Sequence, residues 1–283
     1  MLRTELDAIP PASAVPGTGF GFAAAMQPVA AHMIRTDDAG LVTGEVKVDA
    51  GGFALPAYRA VPKGDGPFPI ILVASEIFGV HEHIADVARR FAKLGYLAIA
   101  PELFVRQGDA KTPSDINTLF ATIISKVPDA QVMADLDACV AWAKANRGDG
   151  KRLGVTGFCW GGRATWLYAA HNAALKAGVA WYGRLVGQTT ALQPERPIDV
   201  VGRLQAPVLG LYGGGDTGIP LDTVEQMKAA LQHGSDAARR SDFHIYPQAG
   251  HAFHADYRPS YDRAAAEDGW QRCLGWLRSH GVV

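Results

Sequence analysis

The chain has 283 residues, 48% of them hydrophobic, which is enough to bury one large core or two small ones. A formal net charge of −1 without a Lys/Arg stripe argues against nucleic acid as a partner, and no apolar run is long enough to span a bilayer. Three cysteines, a low and odd number, suit a reducing compartment without a disulfide framework.

Residues 1–39 read as an N-terminal arm. Positions 19–34 are apolar and Gly/Ala-rich, and Pro28-Val29-Ala30-Ala31 is similar to a small-residue cleavage site, but Arg3 stands alone as a basic side chain beside Glu5 and Asp7. The arm is therefore read as a degenerate export signal packed on a cytoplasmic protein, with export the alternative if residues 1–35 act as a signal. Beyond it, Glu45–Val48 and Ala54–Ala60 predict a hairpin around Gly51-Gly52. The continuous apolar run Pro69–Ser75 predicts a central strand buried on both faces. From His83 to Leu94, apolar residues fall on one helical face, and the pattern stops at Gly95. Tyr96–Ala100 is the next strand, followed by helices over 114–125 and 129–146. A short buried strand, Arg152–Thr156, leads into a helix from Arg163 to Ala170. Ala177–Tyr182 and Pro207–Tyr212 are further strands, separated by a long polar connection over 183–206. Phe243–Tyr246 is the last strand and 261–280 the last helix. Cys139 and Cys273 fall on apolar helical stripes and read as packing residues.

This unbroken alternation predicts one α/β domain over 40–283, with a mainly parallel sheet, helices on both faces and no large cap domain. Within it, Gly157-Phe158-Cys159-Trp160-Gly161 has the G-x-C-x-G form of a nucleophile elbow. Small residues two before and two after the nucleophile let strand and helix pass without collision. The turn also places Cys159 at a helix N-terminus, where free N–H groups and the helix dipole favour a thiolate. Further on, Asp216 follows a strand in Gly213-Gly214-Gly215-Asp216, and His251 follows another in Ala249-Gly250-His251. Singly, these could be a turn residue and a surface histidine. Together they give nucleophile, acid and base in the chain order of the α/β-hydrolase fold, each just past a strand end.

Several motifs identify a family. Ser75-Glu76-Ile77-Phe78-Gly79-Val80, Gly157-Phe158-Cys159-Trp160-Gly161-Gly162, Gly214-Gly215-Asp216 and Ala249-Gly250-His251-Ala252-Phe253 resemble the dienelactone hydrolases (carboxymethylenebutenolidases), from about residue 40 to the C-terminus. The resemblance implies that Glu76 lies against the thiol and holds it neutral until substrate displaces it. That would explain a carboxylate set directly after an apolar core strand, where burial is otherwise costly. The fold's geometry makes the backbone N–H groups of Ile77 and Trp160 the oxyanion hole. The family's substrates carry a carboxylate held by two arginines. Arg106 matches the first position. At the second, Ala255 stands nearest, with Arg258 three residues further on. Trp181 and Tyr182, at a strand end, read either as pocket lining or as core aromatics. The histidines of His81-Glu82-His83 and His251-x-x-His254 lack a completing cysteine or carboxylate, so neither a metal nor another cofactor is expected.

The expected function is hydrolysis of a small-molecule lactone or ester through a thioester, with Cys159 as nucleophile, His251 as base and then acid, and Asp216 orienting His251. A broader ester or thioester hydrolase acting on neutral acyl substrates is the alternative reading. A non-catalytic scaffold of the same fold is a third. Monomer and homodimer remain equally open.

Overall fold

The computed structural model describes residues 33–113 and 115–283, so most of the expected N-terminal arm lies outside the described residues. Eight strands form one sheet in the order β1-β2-β4-β3-β5-β6-β7-β8. β1 (Leu41–Ala50) and β2 (Phe53–Pro62) are the hairpin, antiparallel to each other, and β2 is antiparallel to β4 (Leu97–Pro101). Its turn requires positive φ at Gly51 and Gly52 (66° and 87°), a conformation open to glycine and strained for other residues. β3 (Phe68–Ala74), β4, β5 (Gly148–Phe158), β6 (Leu175–Trp181), β7 (Val208–Gly213) and β8 (Asp242–Tyr246) run parallel.

The helices are α1 (Glu82–Lys93), α2 (Ile116–Thr122), α3 (Asp129–Ala145), α4 (Trp160–His171), α5 (Leu221–Gln232), α6 (Asp236–Arg239) and α7 (Arg263–Ser279). They cover both faces of the sheet, as two glycines of β5 illustrate. Residues 154 and 157 point to opposite sides of a strand. A Cβ on Gly154 would meet Leu277 and Val282, in and just after α7, whereas one on Gly157 would meet Gly161 and Thr165 of α4. Ile70 to Val73 of β3 are fully buried between these layers, as the continuous apolar run requires.

Three departures from the sequence reading have local causes. The helix expected over 114–125 breaks at Ile123 (φ −122°, ψ −66°) and continues as a 3₁₀ turn, Ile124–Lys126. β5 begins at Gly148, four residues before the expected start at Arg152, because Phe68 and Pro69 of β3 pair with Gly148 and Asp149 before the register shifts. The polar connection after β6 contains a 3₁₀ helix, Pro197–Arg203, started by proline at its first position. Cys139 and Cys273 are fully buried.

Candidate active site

The parallel strands deliver their C-terminal ends to one edge of the sheet, and the site is built there. Cys159 joins β5 to α4 with φ 54° and ψ −111°. Its amide donates to the Trp181 carbonyl at 3.0 Å, tying the turn to the end of β6. The turn closes because position 161 is glycine: a Cβ there would overlap the carbonyls of Ala74 and Ser75 at the end of β3. Asp216 follows β7 and is buried. Its Oδ1 accepts from the Gly218 amide at 2.8 Å, leaving Oδ2 for His251 Nδ1 at 2.6 Å. His251, in the loop after β8, lines the same cleft as Cys159. Burial alone would lower the pKa of this ring, but Asp216 and Cys159 outweigh it and raise it to about 10.

A buried polar cluster surrounds Glu76. Glu76 is 1% exposed. Tyr257 Oη donates to its Oε2 at 2.5 Å, His81 Nε2 stands 3.6 Å from the same oxygen, and Arg258 Nη1 is 3.8 Å from Oε1. Burial would raise the Glu76 carboxyl, yet His81, Arg258 and His83 together hold it well below the usual carboxylate range. His83 Nδ1 bonds Asp256 at 3.2 Å, and Asp256 also accepts from Arg90 at 2.5 Å. The His254 ring lies 5.6 Å from that of His83, 5.1 Å from Phe158 and 4.5 Å from Trp181, and burial, with His83 beside it, holds it neutral. Among the described residues, no group of three or more His, Cys, Asp or Glu is arranged to hold a metal.

A cleft of about 470 Å³ opens over the thiol. Ile77, Cys159, Trp160, Tyr182 and His251 line it, so five of the expected residues come together. Phe120, Ile124 and Ile219 give it an apolar wall. The Trp160 amide, in the first turn of α4, has no acceptor within its helix. Three expected pocket residues stand elsewhere. Arg106, expected at a substrate carboxylate, is instead bound by Asp135 through two contacts (2.5 and 2.8 Å) and lies 4.1 Å over the Phe53 ring, outside the cleft lining. Arg258 is buried beside Glu76. Trp181 is a core aromatic whose indole donates to Thr156 Oγ1 at 3.0 Å. The cleft also holds Arg184 and Arg196, which the sequence reading passed over. Their only signal was position, in a polar loop just past a strand's C-terminal end, where open α/β sheets bind ligands.

A mostly parallel sheet, helices on both faces and a strand–helix elbow at the carboxyl edge define an α/β-hydrolase fold. The dienelactone hydrolase family model matches residues 55–281, and the chain belongs to that family of hydrolases. A Methylorubrum extorquens protein provisionally named carboxymethylenebutenolidase is 61% identical over 265 residues, 93% of this chain and 90% of the relative. An Escherichia coli protein of the same provisional name is 53% identical over 262 residues, 92% of this chain and 96% of its own. The crystal structure of a Klebsiella pneumoniae protein, provisionally named dienelactone hydrolase, superposes with a TM-score of 0.82 at 56% identity. It covers 84% of this chain and 98% of its own.

Proposed function

We propose that this hydrolase opens a lactone or simple ester through a thioester on Cys159. The observation that supports this best is the Asp216–His251 hydrogen bond beside a cleft that His251 shares with Cys159, which sits at a strained strand–helix turn. With substrate bound, an imidazolium stabilised by Asp216 holds the sulfur in its nucleophilic form. The thiolate attacks the substrate carbonyl carbon, a C–S bond forms, and the C=O electron pair moves onto oxygen. The N–H groups of Ile77 and Trp160 hold that oxyanion. Its collapse breaks the C–O bond, and His251 protonates the leaving oxygen. Now neutral, His251 takes a proton from water, whose hydroxide attacks the thioester. Collapse of this second intermediate releases the acid and restores the thiolate. Glu76, held by Tyr257, His81 and Arg258, supplies the buried negative charge that restrains thiolate formation in the resting enzyme.

The broader esterase reading draws on the apolar wall of Phe120, Ile124 and Ile219 and on the engagement of Arg106 with Asp135. Turnover of a dienelactone measured beside p-nitrophenyl acetate separates the two. Preference for the dienelactone supports the lactonase reading, and turnover of the acetate alone rejects it.

A further inference from the structure

Two cations in the cleft have no part in the reaction above. Arg184 and Arg196 lie on the connection after β6 and line the cleft together with Cys159 and His251. Every other arginine close to the site faces a carboxylate: Arg163 binds Asp129 through two contacts at 2.7 Å, Arg106 binds Asp135, Arg90 binds Asp86 and Asp256, and Arg258 faces Glu76. Among the described residues, Arg184 and Arg196 form no direct ion pair; Asp216 attracts the first and Asp129 and Asp199 the second only from beyond contact. Arg184 Nη2 donates only to the Gly218 carbonyl, at 3.4 Å. Arg196 donates to the Gln188 carbonyl, and its Nε is buried without a hydrogen bond.

The two side chains flank a single open position. From the point where a Cβ on Gly187 would stand, Arg184 Cδ is 3.7 Å and Arg196 Nε 4.0 Å away. Gly187 has a φ of 143°, so the backbone itself favours glycine and no side chain fills the gap. Both guanidinium pKa values are lowered. Burial is the main cause for each, and for Arg196 its neighbours Arg163 and Arg184 add to the lowering while Asp129 and Asp199 oppose it. Two half-buried, mutually repelling cations that no carboxylate contacts directly are costly, and an anion joining them would relieve that cost.

We propose that Arg184 and Arg196 form an anion-binding subsite that holds a carboxylate of the acyl substrate. The proposal rests on Cys159 being the reacting nucleophile. Guanidinium forks match a planar carboxylate, and Phe120, Ile124 and Ile219 cover the apolar body that carries it. Strand order fixes the side on which the carboxylate sits. Cys159 follows β5, Glu76 follows β3 and Arg106 lies beyond β4, whereas Arg184 follows β6, the neighbour of β5 on the other side. The substrate's anion is therefore read on the β6 side of the nucleophile, away from Arg106.

The test compares mono-p-nitrophenyl adipate with its methyl ester, which has the same chain without the charge, in wild type, Arg184→Gln, Arg196→Gln and Arg196→Lys. Each glutamine variant should lose about ten- to a hundredfold in kcat/KM on the charged ester, mostly through KM, and far less on the methyl ester. Arg196→Lys should recover part of that loss. Equal losses on both esters would overturn the proposal. A second measurement needs no turnover: protection of Cys159 from iodoacetamide by adipate, adipamide or inorganic phosphate. Adipate should protect the wild type and fail to protect either glutamine variant. Adipate protecting no better than adipamide refutes the subsite, and protection by phosphate alone refutes its assignment to a carboxylate. A protein that turns over neither ester, yet is protected by adipate in this arginine-dependent way, would retain the subsite and reject the hydrolytic reading.

Discussion

Cys159, Tyr182 and Ala252 share an uncommon backbone state: all have positive φ (54°, 38° and 60°) without being glycine. Each such residue costs on the order of 1–3 kcal/mol, and all three lie at the nucleophile, in the cleft wall or next to His251. Replacing the thiol by a methyl group leaves the backbone of the turn as it is, so removing the reacting atom should leave the fold intact. Cys159→Ala is expected to abolish ester turnover with an unchanged unfolding midpoint; near wild-type turnover by clean variant protein would contradict the thioester route. His251→Ala should do comparable damage, since in the proposed mechanism nucleophile and base act as a unit. Asp216→Asn should cost less than either, because it spoils the tautomer and orientation of His251 without deleting a reacting atom. Glu76→Gln should make resting Cys159 react faster with iodoacetamide while slowing turnover. Alkylation rates over a pH series would show this, and an unchanged or slower profile in the variant would leave Glu76 a structural acid.

At the scale of elements, α4 can meet the end of β3 only because residue 161 has no side chain. Gly161→Ala should cost about 3 kcal/mol, the upper end of the range for overpacking, because backbone carbonyls cannot swing aside as a flexible side chain can. A urea midpoint that falls at constant slope is the expected reading. A second element-level contact is Arg106, which joins the loop after β4 to α3 through Asp135 and to β2 through Phe53. Asp135 is 1% exposed, so Arg106→Ala leaves a buried carboxylate without its cation. The expected loss is about 3 kcal/mol of stability, the low end for a broken buried pair because the guanidinium keeps some water. Equal, modest effects on charged and neutral esters should accompany it. A loss confined to the charged ester would place Arg106 back at the substrate.

Over the whole molecule, strands remote in sequence bring buried charges together, and this ties stability to pH. His251 has a folded pKa of about 10, above the 6.5 of a free histidine. A raised pKa contributes stability that is fully present below pH 6.5 and is lost as pH rises towards 10. The stability difference between wild type and His251→Gln should therefore narrow between those values in urea titrations. A difference that widened across this window would mean that the ring is held neutral in the folded protein. No helix among the described residues is long and apolar enough to cross a membrane.

The sequence by itself determined the elements and the elbow. The apolar run of β3, the alternation of strand and helix, and the glycines around Cys159 are local signals, because side-chain period and turn sterics act within a few residues. The order of Cys159, Asp216 and His251 was legible for the same reason, since each follows its own strand. Which charges meet was not legible. Arg106 matched an expected position but lies beside Asp135 of α3, whereas Arg184 and Arg196 stood in a loop without regular pattern and turn into the cleft. Ion pairing depends on distances across the sheet that no sequence spacing encodes. Only the packing of α3 and of the loop after β6 decided which arginines are neutralised and which face the thiol.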